Sequence, residues 1–228
     1  MNTVSNRKGL LVFVGTVGSG KSTHARLLYS ELKKNGLRAR IICLKTGHML
    51  AFILEVLLTK ILMNNRKDVY PIRMLIDDEP LIFRRIFRLW TLLDLISITI
   101  KFLISIYLPL KLGYTLLVEE YIPATISDYL FLSRILRFPL KINSLTIRYL
   151  LKLMNLCPPT QTIFLDAEND ELYLRYKIRG SPNEMEDYLQ MQRTILYCIA
   201  KTLSSNFLYI NTGARTINEV HGLIINHI

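Results

Sequence analysis

The chain has 228 residues, half of them hydrophobic, and 29 Lys and Arg against 18 Asp and Glu give a formal net charge of +11. That composition excludes intrinsic disorder, fits a single α/β domain spanning 1–228 with a sizeable core, and asks for a polyanionic partner, which nucleotides satisfy as well as nucleic acid. Cys43, Cys157 and Cys198 are isolated and His24, His48, His221 and His227 are dispersed, so a disulfide framework, a metal cluster and a His-based nucleophilic triad have no support.

The segment Met1 to Gly9 is polar and lacks the apolar core of a signal peptide, which with reduced thiols predicts a cytoplasmic protein. Leu10 to Val14 is an apolar, β-branched run of the kind buried in a parallel sheet. Gly15-Thr16-Val17-Gly18-Ser19-Gly20-Lys21-Ser22 follows, the G-x-x-x-x-G-K-[ST] pattern of a phosphate-binding loop. Ala25, Leu28 and Leu32 then recur at helical spacing and Gly36 stands at a C-cap position. The glycines let backbone N–H groups converge on a polyphosphate, and the helix dipole adds positive charge there. Lys21 would reach the β- and γ-phosphates, and the Ser22 hydroxyl would ligate Mg²⁺. ATP and Mg²⁺ are the ligands this loop implies.

Ala39 to Leu44 reads as a second buried strand, and Lys45-Thr46-Gly47-His48 as the loop at its C-terminal end, where open α/β sheets bind ligands. Residues 49 to 110 are helical in pattern, with breaks at Asn64-Asn65, Tyr70-Pro71 and Glu79-Pro80. Within them, Leu89 to Leu110 is very apolar. Asp94 and Lys101 interrupt it and Pro109 ends it, so its longest uncharged run, Phe102 to Leu110, falls short of the roughly 18 residues a spanning helix needs. A buried helix along the sheet, and no membrane partner, is the expectation. Tyr114 to Val118 is a third strand running into Glu119-Glu120-Tyr121. Helices are predicted over Thr125–Leu136 and Leu145–Leu156, the second stopped by Pro158-Pro159. Thr162 to Asp166 is a fourth strand, Asp170 to Lys201 is mostly helical, and Phe207 to Ile210 is a fifth strand. Strands alternating with helices imply a parallel sheet with right-handed crossovers.

A carboxylate at the end of the third strand has a mechanistic reason, because in phosphate-loop proteins it holds Mg²⁺ opposite the loop hydroxyl. Glu119 fits that role, with Glu120 beside it. Farther on, Arg175, Lys177 and Arg179 alternate and precede a Gly180-Ser181-Pro182 break. They suggest a short, mobile, positively charged lid over 170–186, which phosphoryl transfer needs because the loop itself carries no arginine.

The order of these motifs resembles the thymidylate kinase family of nucleoside monophosphate kinases over nearly the whole chain. The resemblance rests on Phe13 to Thr23, on Val118-Glu119-Glu120-Tyr121, on Pro159 to Asp166 with Leu174-Arg175, Arg179, Glu186 and Arg193, and on Tyr209 to Thr212 followed by Ile217 to Val220. It implies a three-layer P-loop fold with a five-stranded parallel sheet and transfer of the ATP γ-phosphoryl to dTMP or a related nucleotide. ATP would be held by Gly15, Gly18, Ser19, Gly20, Lys21, Ser22 and Thr23. Glu119 would stand where the family has the Asp of its Asp-Arg-Tyr motif. Arg175 would lie near adenine, Arg179 would face the phosphates, and the loop from Thr212 to Arg215 would border the base. Glu120 and Tyr121, ending that motif, would meet the acceptor.

The departures fall on the acceptor side, expected over 46–110. The family's Arg-Glu-Pro-Gly-Gly-Thr motif is absent, Glu120 replaces the arginine of Asp-Arg-Tyr, Leu95 follows Asp94 where the family often has arginine, and the loop's usual acid is Val17. Arg84, Arg85 and Arg88 are expected to compensate, since Arg84 and Arg88 share a helix face with Arg85 adjacent. A kinase of a different acceptor and an inactive nucleotide-binding regulator are the alternatives. A nucleic-acid-dependent ATPase lacks an aromatic–basic motif, and a homodimer is left open.

Overall fold

The computed structural model describes residues 9–62 and 71–228. The polar N-terminal residues 1–8 and the expected breaks at Asn64-Asn65 and Tyr70 lie outside the described residues.

Five parallel strands form one sheet: β1 (Leu10–Gly15), β2 (Ala39–Cys43), β3 (Thr115–Glu119), β4 (Gln161–Asp166) and β5 (Phe207–Asn211), in the spatial order β2-β3-β1-β4-β5. Their alternation sorts the core. Leu10, Val12 and Val14 face one apolar cluster, and Leu11 and Phe13 face the other. The first helix, α1 (Lys21–Lys34), covers the second cluster together with the C-terminal helix α11 (Ile217–His227). The other face is covered by α4 (Pro80–Phe102), α6 (Ile122–Ile135), α7 (Leu145–Leu156) and α10 (Tyr197–Thr202). Helices on both faces of a parallel sheet make the expected three-layer α/β arrangement. α1 ends as its sequence requires, with Gly36 at φ 76° and Leu37 N–H returning to the Leu32 carbonyl.

Two of the remaining helices, α2 (Leu50–Leu62) and α3 (Pro71–Asp78), pack on α4. α4 runs on through a π-helical turn, Leu103–Tyr107, into α5 (Leu108–Lys111). The wide turn precedes Pro109, which offers no N–H to an α-helical ladder. The continuous helix Pro80–Lys111 has 32 residues and is long and apolar enough, by length and composition, to cross a membrane. Its Phe83, Phe87, Trp90, Ile98 and Phe102 are in the core, whereas Leu89, Leu92, Ile96, Ile100, Leu103 and Ile104 are exposed. The expectation of a buried helix therefore holds for one face only.

After β4 come α8 (Asn169–Arg179), with Gly180 left-handed at its C-cap, and α9 (Glu186–Met191). α9 continues through a second π-turn, Gln192–Leu196, into α10. The C-terminal ends of β1, β3 and β4 thus meet the N-terminus of α1 at one edge of the sheet.

Candidate active site

The loop between β1 and α1 is shaped by close approach. At Gly15 (φ 136°) a Cβ would stand 1.8 Å from the Leu165 carbonyl oxygen, so only glycine lets β1 pass β4 there. At Gly18 (φ 84°) a Cβ would stand 2.8 Å from the Tyr176 ring. Gly20 is the left-handed N-cap of α1, and Ser19 folds inward, its N–H and hydroxyl both donating to the Thr16 carbonyl. Lys21 curls back over the loop. Its ammonium donates to the carbonyls of Gly15 (2.9 Å) and Thr16 (2.8 Å) and pairs with Glu120 at 3.0 Å.

Glu119 and Glu120 leave the end of β3 in different directions. Glu119 accepts a hydrogen bond from the Ser22 hydroxyl. Two hard oxygen donors facing each other at the loop suit Mg²⁺, and Ser22 and Glu119 are the residues that would hold it. Glu120 takes a left-handed backbone (φ 55°), uncommon for a residue with a Cβ, and its side chain is thereby aimed at Lys21. Backbone hydrogen bonds secure that turn: Glu120 N–H donates to Phe13, and Leu44 N–H donates to the Glu119 and Glu120 carbonyls. Thr23, next on α1, is exposed.

A second tier of residues fixes the loop from behind. Thr16 is buried and donates to Asp166 at 2.9 Å; Asp166 also accepts from Arg193 and from the Ala167 N–H. The Val17 N–H donates to Gln192, which the second π-turn turns toward the loop, and Tyr176 O–H donates to the Val17 carbonyl. Arg175 joins the loop to the segment after β5, donating to the Gly18 carbonyl (3.2 Å), to the Thr212 hydroxyl (3.0 Å) and to the Thr212 carbonyl (3.0 Å) while Glu171 holds its Nε. Thr212 in turn donates to the Ser19 and Asp166 carbonyls.

The side toward α4 and α6 is lined by acids. Asp94, fully buried, accepts from the Gly47 N–H (3.0 Å) and from Tyr129 O–H (2.8 Å), and burial pushes its carboxyl up to about 6. Glu55 accepts from the Trp90 indole at 2.8 Å and is raised to about 7, mainly by burial and partly by Asp94. Asp128 accepts from Thr46 and Tyr188, each at 2.8 Å. Burial also raises it to about 7, the charge of Glu120 adding to the effect and that of Lys45 opposing it. His48 is driven down to about 4 by burial and by Lys101 and Lys45, and its Nε2 has no hydrogen-bond partner among the described residues.

Lys21, Ser22, Glu119, Glu120, Arg175 and Thr212 are thus brought together with Gly15, Gly18, Ser19 and Gly20. Other expected site residues lie elsewhere. Tyr121 is fully buried, its ring stacked with Phe102 and its hydroxyl donating to the Cys157 carbonyl, so it packs the core instead of meeting an acceptor. Arg84, Arg85 and Arg88 are exposed, and Arg88 lies over the Phe138 ring. Phe138 lies three residues past the end of α6 at Ile135, which is itself seven residues and roughly 10 Å of helical rise beyond Asp128. Helical periodicity placed these arginines on one face correctly but could not say which end of α6 that face would meet. Arg179 is exposed, one turn beyond Arg175. The segment after it is fastened to α3, where Arg73 donates to the Asn183 carbonyl and lies 3.9 Å from Glu184. Sequence reading missed Thr16, Gln192, Asp128 and Tyr188. Thr16 is a variable position of the loop motif and the other three belong to no motif, and each is recruited across more than 50 positions.

No protein-family model and no curated protein matches the sequence. Among solved structures, the fold is similar to thymidylate kinase from Candida albicans (TM-score 0.61, 16% identity, 96% of this chain and 90% of that one). It is also similar to thymidylate kinase from Ehrlichia chaffeensis (TM-score 0.52, 19% identity, 96% of this chain and 97% of that one). At these identities the likeness shows the fold.

Proposed function

We propose that this chain is an ATP-dependent phosphotransferase of the nucleoside monophosphate kinase type. The observation that carries the reading is the Lys21, Ser22 and Glu119 constellation at the N-terminus of α1, on a fold shared with thymidylate kinases. The backbone of Gly15 to Lys21 cradles the polyphosphate, and Lys21 exchanges its carbonyl and Glu120 partners for phosphate oxygens. Ser22 and Glu119 would hold Mg²⁺, which would neutralise charge on the phosphates. Arg175 and Thr212 frame the nucleotide's other end, and the acceptor enters between the loop, the Lys45–His48 turn and α6.

dTMP is the acceptor that kinship implies. A different acceptor is favoured by one observation: Glu120, at the place of a family arginine, directs a negative charge at Lys21. The test is Mg²⁺–ATP binding and turnover with dTMP for the wild type and Lys21→Ala. Loss of ATP binding in a folded variant supports the assignment; wild-type binding and turnover in that variant would overturn it. ATP binding with no transfer to any acceptor would mark the chain as a nucleotide-binding regulator.

A further inference from the structure

We propose that the acceptor is an unphosphorylated nucleoside, that Asp128 takes the proton from its attacking hydroxyl, and that Glu120 turns away acceptors carrying their own phosphate. The inference rests on the reading of the loop edge as a phosphotransferase site and names the acceptor class for it.

Charge decides the first half. An acceptor phosphate delivered beside ATP brings a second dianion to the γ-phosphate and needs cations to meet it. Lys21, at the loop edge, is already paired with Glu120 at 3.0 Å. Arg73 is engaged with Asp77, Glu184 and the Asn183 carbonyl. Beyond Glu120 stands Asp128, close enough that Glu120 contributes to its raised proton affinity, with Lys45 as the opposing charge. A monophosphate would enter against these carboxylates, whereas a neutral hydroxyl compound meets no repulsion and finds a proton acceptor.

Asp128 has the placement that acceptor requires. The Thr46 hydroxyl holds one carboxylate oxygen from the loop after β2, and the Tyr188 hydroxyl holds the other from α9. Each oxygen keeps a lone pair for a substrate proton. Asp94 and Glu55 are sealed in the core at 0% and 2% exposure, while Asp128 is partly exposed, so it is the carboxylate of the three that a substrate reaches. Its proton affinity, near neutral pH, matches that of an effective general base.

In the transfer, the nucleoside hydroxyl oxygen bonds to the γ-phosphorus and the bond from that phosphorus to the β,γ-bridging oxygen breaks. ADP leaves with the electron pair, and the hydroxyl proton passes to the Asp128 carboxylate. The products are ADP and a nucleoside monophosphate, with the proton released to solvent.

The test uses the full chain with Mg²⁺–ATP and the common ribo- and deoxyribonucleosides, each against its own 5′-monophosphate, reading ADP and the phosphorylated product by phosphorus NMR. At least one nucleoside should be phosphorylated with a kcat/KM about a hundredfold above that of its monophosphate. Asp128→Asn preserves the shape that Thr46 and Tyr188 hold. It should lower kcat by about a hundredfold or more while ATP Kd and the nucleoside KM stay within about twofold, a split that a merely structural role would not give. Turnover of monophosphates in preference to nucleosides, no turnover of any nucleoside, or an unchanged kcat in Asp128→Asn each overturns the proposal. ATP binding, measured separately, tells the two readings apart. A protein that binds Mg²⁺–ATP and phosphorylates monophosphates keeps the phosphotransferase reading and loses this acceptor. One that does not bind ATP loses both.

Discussion

Glu120→Gln should tighten Mg²⁺–ATP binding. The substitution keeps the length of the side chain and removes the negative end of its 3.0 Å pair with Lys21. Lys21 has to leave that pair, at least in part, to meet the β- and γ-phosphates. Two unit charges at this separation attract by about 5 kcal/mol at an effective dielectric of about 20, but Glu120 is 18% exposed and the net worth of a charge-assisted hydrogen bond is nearer 1.5–3 kcal/mol. The Gly15 and Thr16 carbonyls hold the lysine in place without Glu120, so its pre-organisation survives the change. Removing the carboxylate also removes its direct repulsion of the phosphates. Together these should strengthen binding by at least about 1.4 kcal/mol, a tenfold fall in Kd. Calorimetric titration of wild type and variant with a non-hydrolysable Mg²⁺–ATP analogue measures it. The gain should shrink at high ionic strength, because the phosphates and Glu120 meet in a solvent-reached site. A Kd in Glu120→Gln equal to or weaker than that of wild type would refute the reasoning.

Arg175→Ala cuts the hydrogen bonds from one guanidinium to Gly18 and Thr212 and should weaken ATP binding about tenfold with a smaller effect on kcat, read from ADP formation at varied ATP; unchanged affinity would remove its assignment. Arg179 is exposed one turn beyond Arg175 and outside the residues gathered at the loop, so Arg179→Ala should leave kcat within about twofold of wild type; a loss of about a thousandfold, the worth of an arginine at a phosphoryl transition state, would refute that placement. Glu55→Gln tests the buried acid beneath the acceptor side. With a folded-state value of about 7 against an ordinary 4.5, Glu55 holds its proton in the folded chain after the unfolded chain has lost it, so its ionisation lowers stability as pH rises from about 4.5 to 7. The variant lacks that loss and should gain up to about 3 kcal/mol over wild type at pH 8 relative to pH 5, by urea unfolding. A difference independent of pH would contradict it.

The sequence by itself determined the parts whose geometry is local. Gly15 to Ser22 specifies its own loop because glycines supply the positive φ values, the close pass at Leu165 and the opening of α1. Strand order along the chain, the run of Leu145–Leu156 as a helix and the carboxylate ending β3 were legible for the same reason: period-2 and period-3.6 patterns and turn residues act within a few positions. The tertiary structure alone decided which charges meet. Lys21 finds Glu120, Arg175 finds Gly18 and Thr212, and Thr16 finds Asp166, across 37 to 157 positions. No periodicity spans such distances. The same holds for the misplaced expectations. Tyr121 reads as the end of a site motif, yet at the N-cap of α6 its ring drops between Phe102 and the end of α7, where burying an aromatic face outweighs exposing it. Arg84, Arg85 and Arg88 share a face as helical spacing requires, but Phe83, Phe87 and Trp90 bury the opposite face and so turn the arginines outward, Arg88 over the Phe138 ring. A helix pattern fixes which residues stand together; only the packing of its apolar side fixes where they point.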